Sequence, residues 1–308
     1  MLGTTATIGP EFIYHQDVYT ATYGIEHKAV KYDPHTPGRI VIVYKDRGGT
    51  YDDGYAIAAT IVGDQITYGT EVKFTGSNES IDYLDFAFDP INPDKFVIVV
   101  SNGGLRAIVG TLSGTTTISY GTTKTISSAG CDYCAIAFNP HSIVESKFVV
   151  SYSEGNTEGR VTLCKRNGTS IDTVTHQTFS SDAVSFTDIS FDPFVPDKFI
   201  VAYYPADLKP TCIIGNISYN NAITFGTEVE VTSTQHAHDI KVHYNPLFKN
   251  KVFLSYRKVY SPLHLWAYEG TIDGTTSTWS SPESLYSGDS GNDFCHDMAV
   301  DLFKPGRI

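Results

Sequence analysis

Apolar residues along this chain fall in short alternating or continuous runs, and the runs recur. Leu84, Phe86 and Phe88 alternate with other positions, the period-two signature of a strand with one buried face. Asp89-Pro90 ends that run, because proline fixes φ and aspartate closes turns with its side chain. From Phe96 to Val100 the chain is continuously apolar, as expected of a strand covered on both faces. Asn102-Gly103-Gly104 reads as a hairpin turn. A third strand runs from Arg106 to Leu112, Ser113-Gly114 turns the chain, and a fourth strand spans Thr117 to Ile126 past Tyr120-Gly121.

The same order returns along the whole chain. Tyr32-Asp33-Pro34, Phe88-Asp89-Pro90, Phe138-Asn139-Pro140, Phe191-Asp192-Pro193 and Tyr244-Asn245-Pro246 are one turn repeated at spacings of 56, 50, 53 and 53 residues. Val300-Asp301 is a degraded sixth copy, 56 residues further on.

Four antiparallel strands per repeat of this length predict an all-β fold, a β-propeller. One such sheet has two apolar faces and covers neither alone, whereas packing blades around an axis covers both. Solenoid coils are shorter and do not hold four strands. The repeats start near 26, 82, 132, 185, 238 and 294, within a single domain spanning 1–308. Gly3 to Glu11 resembles the fourth strand at Gly274 to Glu283, and Pro305-Gly306-Arg307-Ile308 copies Pro37-Gly38-Arg39-Ile40. The expectation is therefore six blades, the last built from both termini and short of strands, with five blades as the alternative.

The repeat consensus stands at Phe191 to Tyr203, Ile213 to Ile217 and Ile223 to Val229. It resembles the repeats of structural and tail-fibre-like proteins of marine phages and large algal viruses, along nearly the whole chain. That resemblance implies a structural or adhesion role on a virion surface or outside the cell, with a glycan, a host-surface receptor or other fibre subunits as partners. Asp273-Gly274-Thr275-Thr276-Ser277-Thr278-Trp279 is also loosely similar to the Asp-box of sialidase-type blades. The sialidase chemistry is not supported: the arginines that would clamp a substrate carboxylate do not begin the innermost strands.

Composition narrows the partners. Lys and Arg number 22 against 34 Asp and Glu, a formal net charge of −12. There is no basic footprint for nucleic acid, and the negative field suits cations or neutral glycans better than anionic membranes. No apolar stretch is long enough for a membrane span. The first residues have neither a basic nor an apolar leader region, so no signal peptide is expected. The odd count of 5 cysteines, Cys131, Cys134, Cys164, Cys212 and Cys295, reads as structural thiols rather than a disulfide framework.

Candidate chemistry concentrates at one mouth of the central channel, where the innermost strands begin. Six residues before the repeated aromatic stand Glu26, Asp82, Asp132, Ser185, His238 and Phe294; three before it stand Ala29, Asp85, Ala135, Asp188, Lys241 and Asp297. Two partial rings of carboxylates could hold a cation through oxygen, or face water in the channel and hydrogen-bond loop backbones. His27, His236, His238 and His296 enter the first, fifth and sixth repeats and would meet there if those blades are neighbours. The candidate ligand-binding set is Glu26, His27, Asp82, Asp132, His236, His238 and His296. No cofactor is expected beyond a possible bound cation. No nucleophile motif occurs, so the expected function is non-enzymatic binding. The alternative is a glycoside-cleaving enzyme using Asp82, Asp85, Asp132 or Asp188. Trp266, Trp279, Tyr51, Tyr55, Tyr204 and Tyr260 offer aromatic faces on which sugars stack, or pack between blades.

Overall fold

The computed structural model describes residues 25–47, 51–77, 79–233, 237–258 and 263–288. Within them lie five antiparallel sheets, each made from consecutive strands A to D. Blade one comprises Ile25–Tyr32, Arg39–Asp46, Asp53–Val62, and Gln65–Tyr68 with Val72–Lys73. Blade two is Tyr83–Phe88, Lys95–Ser101, Leu105–Ser113, and Thr117–Tyr120 with Lys124–Ser127. Cys131–Phe138, Lys147–Glu154, Glu158–Asn167 and Ser170–Ser180 form blade three. Blade four holds Val184–Phe191, Lys198–Pro205, Thr211–Ile217, and Ile223–Phe225 with Val229–Glu230. Blade five holds Ala237–Tyr244, Lys251–Lys258, Leu263–Asp273, and Thr276–Trp279 with Glu283–Gly288. Among the described residues no helix is long and apolar enough to cross a membrane.

The chain is thus a β-propeller, with five blades in the described residues rather than the six expected. Each of these blades closes on its own consecutive strands. The segments assigned to a sixth blade, 3–11 and 294–308, lie outside the described residues.

Strand B shows why the blades stack. In blade two, Phe96, Ile98 and Val100 enter the core shared with blade one, while Val97 and Val99 enter the core shared with blade three. In blade four, Phe199, Val201 and Tyr203 face blade three, and Ile200, Ala202 and Tyr204 face blade five. Alternate side chains point to opposite faces of a strand, so one apolar run supplies two cores. Each Val, Ile or Phe among them contributes about 1.5–3 kcal/mol by its burial. Strand A of each blade packs against strand A of the next, in the order one to five.

The repeated Asp/Asn-Pro turn is a structural device. Its side chain accepts the backbone N–H two residues on in all five blades: His35 onto Asp33, Ile91 onto Asp89, His141 onto Asn139, Phe194 onto Asp192 and Leu247 onto Asn245. This is the turn that Asx side chains favour. The turns also join blades. Arg39 pairs with Asp33 of its own turn and Asp94 of blade two. The Nδ2 of Asn92 donates to Ser146 Oγ of blade three at 2.7 Å, and that of Asn139 donates to Asp197 of blade four at 2.7 Å.

The fourth strand breaks at Tyr120-Gly121 rather than running on to Ile126. A Cβ on Gly121 would lie 1.9 Å from the Thr169 carbonyl oxygen of blade three, and Gly69 and Gly226 meet Thr116 and Thr275 in the same way. The outer hairpins of blades two, three and five therefore each seat on a glycine of the preceding blade. Blade three lacks that glycine, and its fourth strand is continuous.

Candidate functional site at the channel mouth

Strands A begin, and strands B end, at one end of the channel. There the A strands depart from regular pairing. The register shifts between Glu26 and Lys28, between Asp132 and Ala135, between Ser185 and Asp188, and between His238 and Ile240. Such bulges re-aim side chains. Tyr133, Phe186 and Asp239 occupy the bulges with left-handed φ of 52, 49 and 48°, an unusual conformation for bulky residues.

The bulges bring rings together across blades. Tyr83 and Tyr133 have centroids 4.5 Å apart, Tyr133 and Phe186 are also 4.5 Å apart, and Phe186 lies 4.8 Å from the His238 ring. The result is a half-buried aromatic arc spanning blades two to five. Alternation counted six and three residues before the anchor passes over position five, where Tyr83, Tyr133 and Phe186 stand. The recurring aromatic at that position was the available signal.

Two predicted carboxylates adjoin the arc. Asp82 precedes strand A of blade two, its amide donating to the Ser101 carbonyl at 2.7 Å. Asp132, the second residue of strand A of blade three, lies opposite Ser153. Burial, and then the charge of Asp82, push the Asp132 carboxyl above the ordinary aspartate range. Among the described residues neither side chain has an ion pair or hydrogen bond. His238 is also placed at the mouth, its pKa lowered by burial and by nearby Arg257. Arg257 pairs with Asp239 at 3.3 Å. Glu26 and His27 lie on strand A of blade one, but their side chains, like the whole of His236 and His296, fall outside the described residues.

The second ring of carboxylates serves another purpose. Asp85 accepts the Ile136 amide of blade three at 3.0 Å and pairs with Lys31 of blade one at 2.9 Å. Asp188, buried, accepts the Val242 amide of blade five at 2.7 Å. Both occupy backbone donors on the free edge of the next inner strand, so they are pins between blades. Of the two readings of the carboxylate rings, Asp85 and Asp188 thus follow the structural one, bonded to backbone. Among the described residues no three His, Cys, Asp or Glu side chains gather as a metal-ligand set.

Among the described residues, most of the aromatics weighed as sugar platforms elsewhere take the alternative of packing inside the fold. Tyr204 is fully buried, and Trp266 and Trp279 pack against the core between blades four and five. Tyr55 stacks on Tyr44 at 5.9 Å. Tyr51 is exposed but apart from the arc, and Tyr260 lies outside the described residues. Cys131, Cys134, Cys164 and Cys212 are free and buried, in keeping with structural thiols, and burial raises the Cys131 thiol to about 11.

Each described arginine faces a carboxylate: Arg39, Arg47, Arg106, Arg160, Arg166 and Arg257 meet Asp33, Asp52, Glu79, Glu154, Asp89 and Asp239. No arginine clamp stands at the described part of the mouth. Two open depressions are lined by other residues, one of about 410 Å³ by Glu79, Asn102 and Arg106, the other of about 630 Å³ by His141, Val144 and Tyr219. Their charged groups already pair with each other, as in Arg106 with Glu79 and Lys147 with Glu145. The mouth is the stronger candidate because Asp82 and Asp132 have no ion pair among the described residues.

No protein-family model matches the chain, and no curated protein matches it. Among solved structures it is similar to a candidate 6-phosphogluconolactonase of Bacteroides uniformis, at 12% identity and a TM-score of 0.52 over 83% of this chain and 70% of that one. At that identity the likeness is one of fold: the chain is a β-propeller.

Proposed function

We propose that the chain is a non-enzymatic binding module whose channel mouth takes a carbohydrate. The observation that carries this reading is the arc Tyr83–Tyr133–Phe186–His238, three touching aromatic rings and an imidazole in unbroken sequence across four blades. Sugar rings stack on such faces, and blade-to-blade contact holds them in place without a ligand, so little ordering is needed on binding. The resemblance of the repeats to viral fibre proteins supports an adhesion role on a virion or extracellular surface. A glycan-array screen of the purified chain, with and without EDTA, tests it. Selective binding that survives EDTA supports the reading, and silence across the array overturns it.

A second reading has one observation in its favour. Asp132 is raised by burial and by the charge of Asp82, and a carboxyl whose surroundings raise its proton affinity is one half of the acid–base pair of a glycosidase. Turnover of fluorogenic glycosides, abolished by Asp132→Asn, would favour the enzyme.

A further inference from the structure

Blade three departs from the repeat at its first turn. In the other four blades the turn proline and the basic residue that opens strand B are five apart: Pro34 and Arg39, Pro90 and Lys95, Pro193 and Lys198, Pro246 and Lys251. In blade three Pro140 and Lys147 are seven apart. The longer turn carries a projecting tip, Ile143-Val144, exposed to 75% and 88%. Both ends of the tip are braced. His141 donates its amide to Asn139 Oδ1 at 3.0 Å, and its ring meets the Asp192 carbonyl of blade four at 3.2 Å. Ser146 is buried and accepts Asn92 Nδ2 of blade two at 2.7 Å and Arg166 at 3.1 Å. An insertion confined to one repeat of a repeat protein often marks its binding face.

The tip borders a hollow. Ile143 and Val144 line the depression of about 630 Å³ together with Tyr219 of blade four. Tyr219 stands on the hairpin between strands C and D and is fully exposed. That hairpin is stiff: the Ser218 amide donates to the Ala222 carbonyl at 2.8 Å, and Ser218 Oγ accepts the Ala222 amide at 3.0 Å. The charges around the hollow are answered locally. Glu145 pairs with Lys147 at 2.8 Å and with Lys165 at 2.5 Å, and Asp197 accepts Asn139 Nδ2 at 2.7 Å. None of these groups calls for a charged ligand. What the surface offers is apolar, and exposed apolar patches mark sites of association.

An apolar tip and an apolar hollow side by side make one patch complementary to itself. That is the condition for a two-fold interface, in which both copies offer the same surface. Any other partner would have to bring a matching tip and a matching hollow, and this chain already has both. We propose that a second copy of the chain docks here, Val144 of each copy entering the hollow beside Tyr219 of the other. Both elements are braced beforehand, so little conformational freedom is lost on association. The patch lies at the turn end of the blades, away from the end where strands A begin. The dimer therefore leaves both channel mouths open and does not depend on what they bind. The net charge of −12 on each copy opposes association, and salt screens that repulsion. The dimer should tighten as ionic strength rises.

Sedimentation equilibrium of the full chain, from about 1 µM to about 1 mM, tests the assignment. The parent should show a monomer–dimer equilibrium that strengthens with salt. Val144→Asp and Tyr219→Ser should each weaken it about tenfold or more, because apolar burial is lost at both seats. Both positions are exposed, so circular dichroism of each variant should match the parent. An equimolar mixture of the two variants should associate more than either alone, since one of its two seats joins an intact tip to an intact hollow. A parent that stays monomeric throughout would overturn the proposal. So would a dimer that survives both substitutions, which would lie on another face, and a mixture no more associated than its components. A dimer that weakens with salt would rest on charge pairs and would overturn the apolar seating.

Discussion

Arg166, in the third strand of blade three, donates through Nε to the fully buried carboxylate of Asp89 in blade two at 2.8 Å. The same carboxylate accepts the amides of Ile91 and Asn92 at 2.9 and 3.0 Å, so one residue closes a turn and ties two blades. Burial alone would raise its pKa, but the amides of Asn92 and Ile91, with Arg166 and Ser146, more than offset this and lower it. Asp89→Ala strands a buried guanidinium and should destabilise by about 3–5 kcal/mol in urea unfolding. Asp89→Asn should cost less, because Asn139 and Asn245 already make this turn in blades three and five. A depressed folded pKa gives stability that is present above the unfolded aspartate value of about 3.9 and lost as pH falls through the folded one. The gap between parent and Asp89→Asn should therefore close in acid, below about pH 4.

Asp188 works through geometry more than charge. Burial raises its pKa, opposed by Lys241, His243 and the Val242 amide. Asp188→Asn retains an acceptor for Val242, whereas Asp188→Ala leaves that amide unpaired and should cost about 1–3 kcal/mol. Thermal melting with and without EDTA should be the same for parent and variants. A metal-dependent shift lost in Asp188→Ala would return this residue to the ligand role.

At the mouth, stability and binding should move in opposite directions. Asp132 has a raised pKa, first from burial and then from Asp82, so its ionisation disfavours the folded state. That contribution is absent below the unfolded aspartate pKa and grows as pH rises through the folded value. Asp132→Asn should melt at or above the parent temperature at neutral pH, with the difference vanishing in acid. Differential scanning calorimetry across pH checks the sign.

Phe186→Ala should cost more ligand affinity than fold. The ring is half-buried at a bulge where side-chain size is not needed for strand pairing, yet it touches both Tyr133 and His238. Stacking contacts of this type are worth about 0.5–1.5 kcal/mol beyond buried area, so a several-fold loss of glycan affinity is expected with the circular dichroism spectrum retained. Unchanged binding would move the ligand off the arc.

Gly121→Ala tests the rim. Its Cβ would meet a backbone carbonyl of the next blade, which has no side-chain freedom to yield. Overpacking of this kind costs about 1–3 kcal/mol. Gly103→Ala meets nothing within 4 Å but takes a left-handed φ of 61°, so it isolates backbone strain from collision. Urea midpoints for the two variants separate the effects.

Strand order and blade architecture were legible because they depend on local rules. Period-two alternation, proline after Asp or Asn, and a paired Gly mark strands and turns wherever they occur, and five copies of Asp/Asn-Pro reinforce each other. The continuous run from Phe96 to Val100 announced two covered faces, and the structure places its alternate residues in two different cores. The mouth as the place of Asp82, Asp132 and His238 followed from the same register.

What the chain alone did not reveal depends on contacts between blades. Counting along a strand assumes unbroken alternation, and a single bulge residue inverts which face the next side chains take. Tyr133 and Phe186 therefore reach the mouth from a position that counting sends elsewhere. Asp85 and Asp188 were indistinguishable by residue type from Asp82 and Asp132. Only the neighbouring strand, whose Ile136 and Val242 amides lack a ladder partner, decides that the first two are structural, while the second two have no partner among the described residues. Repetition in the sequence determined the blade, and packing of blade upon blade determined which of its polar groups remain available.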